Sequence, residues 1–276
     1  MLKKYSASPY VLWCIVFIVI PLMLILVYSF TAKDLDSGSI MFSMENYKKF
    51  LDPLFINVFL KSVTLAIKAT LLCLVIGYPM AMILSGMNKK MQRTAVLLFI
   101  LPMWMNFLLR TYAWVAILGN NGIINRFFKM FGFSFNLMYN EGAVLLGMVY
   151  NFLPFMVLPI YTVLTKIDFS LIEAAEDLGA SRSIVLRKII FPLSMPGVLS
   201  GITMVFMPAV STFVISNLLG GSKQTLIGNL VEQQFLVLNN WHFGSSISVI
   251  LMVFILLFMA ILNRAGKDNE GGVSLW

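Results

Sequence analysis

Histidine occurs once, at His242, and cysteine only twice, at Cys14 and Cys73, in a chain of 276 residues. No Cys/His metal cluster and no histidine-centred triad can be assembled from that inventory, and no cofactor is implied. Both cysteines fall in apolar stretches and read as small buried hydrophobes, which excludes a disulfide framework. Charge is equally scarce. Charged residues make up 12% of the chain and hydrophobic ones 59%, where an average soluble domain carries roughly 25% charged residues. That balance excludes disorder and leaves too little polar surface to cover the apolar mass of a soluble fold. The net charge of +8 is spread between apolar runs, with no basic arm or helix that would suit nucleic acid. An integral membrane protein is the class that remains.

What is present is a set of long uncharged intervals. There are 28 uncharged residues between Lys4 and Lys33, 20 between Lys68 and Lys89, and 16 between Arg93 and Arg110. A further 24 separate Glu141 from Lys166, 34 separate Lys188 from Lys223, and 31 separate Glu232 from Arg264. A helix crosses about 30 Å of hydrocarbon with about 20 residues and satisfies its own backbone hydrogen bonds there. The expectation is an all-α, polytopic membrane protein with six transmembrane helices, near 10–31, 62–85, 94–118, 143–165, 197–219 and 246–263. The first apolar run exceeds a signal-peptide core, and no small-residue cleavage site follows Lys3, Lys4 and that run.

Eleven Lys and Arg residues fall on one side of these spans and seven on the other, which puts the richer side and both termini in the cytoplasm. The loop from Met87 to Arg93, with three basic and no acidic residues, is the clearest contributor. Pro21, Pro79, Pro102, Pro154, Pro159 and Pro208 lie within spans, where each kinks its helix and frees a carbonyl. The outer loops 32–60, 119–142 and 220–245 are long enough to form a docking surface. They carry Asp34, Asp36, Glu45, Asp52, Glu141 and Glu232 in a mixed-charge setting.

Residues 166–196 differ from a simple loop. Ser170 followed by Glu173 has capping-box spacing for a helix of about two turns, with Gly179 just past its end. Ser181 can cap a second helix that Pro192 is expected to stop. Glu173, Glu176 and Asp177 would be repelled by anionic lipid headgroups, so the pair reads as a knob for a protein socket rather than an amphipathic helix lying on the membrane.

The run Glu173-Ala174-Ala175, then Gly179, Ile189 and Phe191-Pro192, resembles the EAA-x3-G-x9-I-x-L-P loop of ABC importer permeases, with Phe191 at the leucine position. Further runs extend the resemblance over nearly the whole chain. They are Asn46-Tyr47 with Leu51-Asp52-Pro53, Leu101 to Trp104 through Arg110-Thr111-Tyr112, Val149 to Met156, and Asn217 to Lys223 through Leu226 to Asn229. Together they are similar to the PotB-type permeases of spermidine/putrescine importers, within the binding-protein-dependent inner-membrane component family. The resemblance implies a type I ABC importer permease fold in the bacterial plasma (inner) membrane. Residues 1–61 would form the N-terminal segment, first helix and first outer loop, and residues 62–276 the permease core. It also implies a second, homologous permease subunit, two ATPase subunits and an extracytoplasmic substrate-binding protein. Glu173, Ala174, Ala175 and Gly179 would contact the ATPase, with Ile189 and Pro192 structural.

The chain does not carry its own energy source. Gly220-Gly221-Ser222-Lys223 lacks P-loop spacing. All twelve acids lie outside the six expected spans, so the ionisable relays of a secondary transporter and the acid–base pairs of a membrane enzyme are missing. A path for a multivalent cation needs amides, carbonyls and aromatic faces. Trp104, Asn106, Tyr112, Tyr150, Asn151, Tyr161, Phe213 and Asn217 are the candidates, and the same residue types also serve packing and interhelical hydrogen bonds. Lys68 and Arg110 stand in apolar stretches with no acid near in sequence. They either snorkel outward or line the pore, and in the pore they would favour an anion such as sulfate or a phosphonate. Another small solute such as iron is the remaining alternative within the class. Arg110 could also meet a carboxylate of the partner permease. His242, beside Trp241, reads as a satisfied loop residue.

Overall fold

The computed structural model describes residues 8–33, 40–133 and 135–270. Lys3, Lys4, Asp34 and Asp36 lie outside them. The first span, α1 (Pro9–Ser29), has an apolar window wholly unburied by the rest of the chain. A two-stranded antiparallel hairpin follows, β1 (Thr31–Lys33) against β2 (Ile40–Phe42), with Thr31 opposite Phe42. A short helix α2 (Glu45–Phe50) leads to α3 (Pro53–Ser85).

Helix α3 has 33 residues and begins well before residue 62, where the apolar run alone placed it. Asp52 caps it by accepting from the Leu54 amide at 3.0 Å, and Pro53 occupies the first turn, where its missing N–H costs nothing. At about 1.5 Å per residue α3 is roughly 50 Å long and overshoots the membrane. Its buried residues, among them Ser62, Ala66, Ala69, Cys73, Gly77 and Ala81, form one stripe of small side chains at helical spacing. That stripe lets neighbouring backbones approach closely, which is how helices associate where lipid is as apolar as leucine.

The third span is not one helix. Helix α4 (Lys89–Trp104) and the segment beginning with α5 (Phe107–Leu118) meet at 90° across residues 105–106, and α6 (Ile123–Lys129) follows. Pro102 removes a hydrogen bond from the last turn of α4. Asn106 starts α5 afresh as an N-cap, its side chain accepting from the Leu108 amide at 2.8 Å.

Helix α7 (Glu141–Leu164) is the most buried span. It packs against α3 and against α9 (Arg182–Ser211), and these three form the core, with Met148, Met156, Ile160, Val205 and Ala209 fully enclosed. Between α7 and α9 lies the short helix α8 (Phe169–Asp177). The expected stop at Pro192 does not occur, because α9 runs on without a break and ends at Ser211 rather than near residue 219. A π turn over Leu186–Ile190 precedes the proline, with the Phe191 amide reaching Leu186 O five residues back. That wider turn accommodates the lost amide and the ring that would break a regular helix.

Beyond Ser211 the chain turns back on itself. A π turn (Ser216–Gly220) leads to α10 (Ile227–Glu232) and a second π turn (Gln233–Val237), after which α11 (Trp241–Glu270) descends. The outer segments expected as loops therefore contain α2, α6 and α10. His242 sits in the first turn of α11 rather than in a loop. It is satisfied there, with Nδ1 2.9 Å from Thr31 Oγ1 and the ring edge-on to Tyr28.

Candidate functional site

Two regions bring polar chemistry to otherwise apolar helices. The first is the α8 knob. Its N-cap is Asp168, whose carboxylate accepts from the Ser170 amide at 3.0 Å, and not the expected pair of Ser170 and Glu173. The Ser170 amide and hydroxyl hold the Asp168 carboxyl below its ordinary range. The far end closes in a Schellman arrangement: the Ala180 amide bonds Ala175 O at 3.0 Å and the Gly179 amide bonds Glu176 O at 2.9 Å. Gly179 has φ +80°, a left-handed conformation in which a side chain is strained.

On this frame Glu173, Ala174, Glu176 and Gly179 are exposed and Ala175 is half-buried. Leu178 is 89% exposed, an apolar side chain placed fully outside at the tip of the knob. Ile172 turns the other way and lines a groove with Met82, Met87, Leu164 and Ile190. Ile189 is half-buried and Pro192 exposed at the root of α9. The knob is thereby joined at Gly179 to α9, which is continuous from Arg182 to Ser211 and packs in the core.

The second region is the broken end of α9. Asn229 on α10 is its hub. Its Oδ1 accepts from Ser216 Oγ at 2.6 Å and from the Leu226 amide at 2.9 Å, and its Nδ2 donates to Phe213 O at 3.0 Å and to Asn217 Oδ1 at 2.6 Å. Asn217 in turn donates to Glu232 Oε2 at 2.9 Å. Gly228 lies so close to the carbonyls of Ser211 and Thr212 that a Cβ there would collide with Ser211 O. The Phe213 carbonyl in the unwound stretch after Ser211 is thus satisfied by the Asn229 side-chain amide and the Asn217 backbone amide.

The nine path candidates do not converge on one surface. Phe213 and Asn217 come together in the network just described. Trp104, 86% exposed, and Tyr112 stand free on either side of the α4–α5 break. Asn106 is a helix cap. Tyr150 stacks edge-on against Trp114, and Tyr161 is half-buried. Asn151 is enclosed and donates to Gly147 O at 2.9 Å, while its Oδ1 finds no partner among the described residues. Arg110 does not snorkel outward. It is 8% exposed, and its Nε lacks a hydrogen-bond partner among the described residues. Lys68 is not an unpaired cation, because its Nζ lies 2.6 Å from Glu141 Oε1.

The sequence reading did not single out Ser216, Asn229 or Trp114 as site residues. Asn217 and Asn229 stand in a single polar run of an apolar chain, which was the available signal, but only the turn after Ser211 makes them partners.

Comparison with known proteins gives a consistent picture. The family model for the binding-protein-dependent transport system inner membrane component matches residues 74–266. The chain is 39% identical over 259 residues to the spermidine/putrescine transport system permease protein PotB of Escherichia coli K12, covering 92% of this chain and 94% of that one. It is 38% identical over 272 residues to the protein of the same name from Haemophilus influenzae, covering 96% and 94%. In fold it is similar to a chain of a bacterial ABC transporter involved in import of the acidic polysaccharide alginate, with TM-score 0.82, 14% identity and coverage of 97% and 95%. It is also similar to a chain of the MetNI methionine ABC transporter, with TM-score 0.61, 18% identity and coverage of 80% and 98%.

Proposed function

This chain belongs to the family of binding-protein-dependent transport system inner membrane components, and from that membership we propose that it forms half of the translocation path of an ATP-driven polyamine importer. It is a non-catalytic multi-pass permease subunit of the inner membrane. Its substrate would be spermidine, putrescine or both, the solutes in the names of relatives that match over nine-tenths of its length. Its partners would be a second homologous permease, two ATPase subunits and an extracytoplasmic binding protein. Both termini would be cytoplasmic, on the side where α8 stands.

The observation that carries this reading is the exposed α8 knob, with Glu173, Ala174, Ala175 and Gly179 at its surface and Leu178 bare at its tip. A leucine held out in water beside two exposed carboxylates suits insertion into a groove of another protein, and in this family's setting that protein is the ATPase. Ile189 and Pro192 would set how the knob's motion enters α9. The Lys68–Glu141 ion pair supports a cation rather than an anion as substrate, because it cancels one of the two positive charges that favoured sulfate.

Uptake into proteoliposomes holding this chain with its partner permease, ATPase and binding protein tests the reading. ATP-dependent accumulation of labelled spermidine or putrescine, and none of sulfate, is the expected result. ATP-dependent uptake of sulfate alone would discard the polyamine assignment and turn attention to Arg110.

A further inference from the structure

The segment α10 and the middle of α11 border an open cleft of about 600 Å³ whose walls are almost entirely apolar. Leu251, Met252, Ile255 and Leu256 of α11 line one side. They lie about 15–23 Å along the helix from its start at Trp241. Phe213, half-exposed, and the last turn of α10 line the other. Among these residues stands a single carboxylate, Glu232.

Glu232 has an unusual set of partners. Oε2 accepts from Asn217 Nδ2 at 2.9 Å, and Asn217 Oδ1 in turn accepts from the buried Asn229 side chain, so the carboxylate is held in direction by an amide that is itself anchored. No basic side chain among the described residues pairs with it; the ion pair found there is Lys68 with Glu141. A carboxylate on the wall of an otherwise apolar cleft is costly to leave against hydrocarbon and suits a charged partner. The cleft therefore offers one positioned negative charge, one aromatic face and an apolar trough. That combination complements an ammonium group at the end of a methylene chain, since the cation takes the carboxylate and the ring face and the methylenes take the trough.

We propose that this cleft is an amine subsite of the transport path, in which the Glu232 carboxylate receives a primary ammonium of a linear polyamine beside Phe213 while Met252, Ile255 and Leu256 cover the adjoining methylenes. The subsite rests on the polyamine reading of the preceding subsection. Asn217 is a positioning residue: it aims the carboxylate and leaves Oε1 for the substrate.

The test uses the whole reconstituted importer with labelled spermidine delivered by its binding protein. With Glu232→Gln, spermidine uptake falls about tenfold at saturating binding protein, the loss expected for one charge-assisted contact. Co-purification of the partner subunits and stimulation of ATP hydrolysis by the loaded binding protein stay at the wild-type level. Glu232→Asp restores most of the uptake, which a purely structural role of the amide-sized side chain would not produce. Phe213→Leu, which keeps apolar bulk, lowers uptake about threefold. Wild-type uptake by Glu232→Gln overturns the subsite and leaves the polyamine function standing. Loss of the partner subunits from Glu232→Gln, with Glu232→Asp retaining them, also overturns it, by assigning the carboxylate to a subunit interface. Absence of polyamine uptake by the wild-type assembly overturns the polyamine reading, and the subsite with it.

Discussion

Lys68 on α3 and Glu141 at the start of α7 form an ion pair, with Nζ 2.6 Å from Oε1, between residues 73 positions apart in the chain. Both side chains are about half-exposed, so solvent screens the pair and its worth is about 0–1 kcal/mol. Its larger consequence is local neutrality at Lys68, whereas Arg110, the other cation of an apolar stretch, stays enclosed with no partner for its Nε among the described residues.

Lys68→Ala and Glu141→Gln are therefore expected to change thermal stability little, each by about 1 kcal/mol or less. A double-mutant cycle on the detergent-purified complex measures the coupling. A coupling above about 2 kcal/mol would mean the pair is desolvated in the assembly.

Gly179→Ala forces a side chain into the left-handed conformation that closes α8, at a cost of about 1–2 kcal/mol. The bulkier, charged Gly179→Asp is expected to abolish transport. Substrate affinity of the binding protein, measured by calorimetry, is expected to stay unchanged in both, because the proposed assembly places that protein on the opposite side of the membrane from the knob. Full transport by Gly179→Asp would remove α8 from the coupling route.

Asp168 gives the knob a defined pH response. Its folded carboxyl titrates below the ordinary value of 3.8, so its capping contribution is complete above that value and is lost only as the pH falls through the lowered one. Amide exchange at Ser170 and Leu171 should be flat with respect to capping from pH 5 to 8, after correction for intrinsic rates. Asp168→Ala should speed exchange at both amides across that range.

Asn229→Leu removes four hydrogen bonds at once and strips the Leu226 amide and Asn217 Oδ1 of their side-chain partner, while Ser216 Oγ and Phe213 O keep each other. A loss of about 2–4 kcal/mol is expected, seen as a lower melting temperature and reduced yield of assembled complex.

Trp104 ends α4 at the 90° break and is 86% exposed. Trp104→Ala should reduce uptake while the ATPase still co-purifies. Uptake kinetics identical to wild type would remove this ring from the path.

The sequence by itself determined the class, the approximate spans and the short helix that ends at Gly179. Each follows from local physics. Uncharged runs of membrane length read out without knowing what packs on them, and the Gly179 helix end is fixed by a few neighbouring residues. Boundaries were legible only where the chain itself marks them. Asp52-Pro53 started α3 earlier than hydropathy alone placed it, and the π turn before Pro192 let α9 continue through a residue that ordinarily ends a helix. The tertiary structure alone decided everything that depends on residues distant in the chain. It gave Lys68 its acid, enclosed Arg110, set Asn106 as a cap at a right-angled break, and turned the chain back after Ser211 so that Asn229, Asn217 and Glu232 meet. Periodicity and charge spacing carry no information about such pairings, because a helix specifies which face a residue occupies and not which other helix that face will meet.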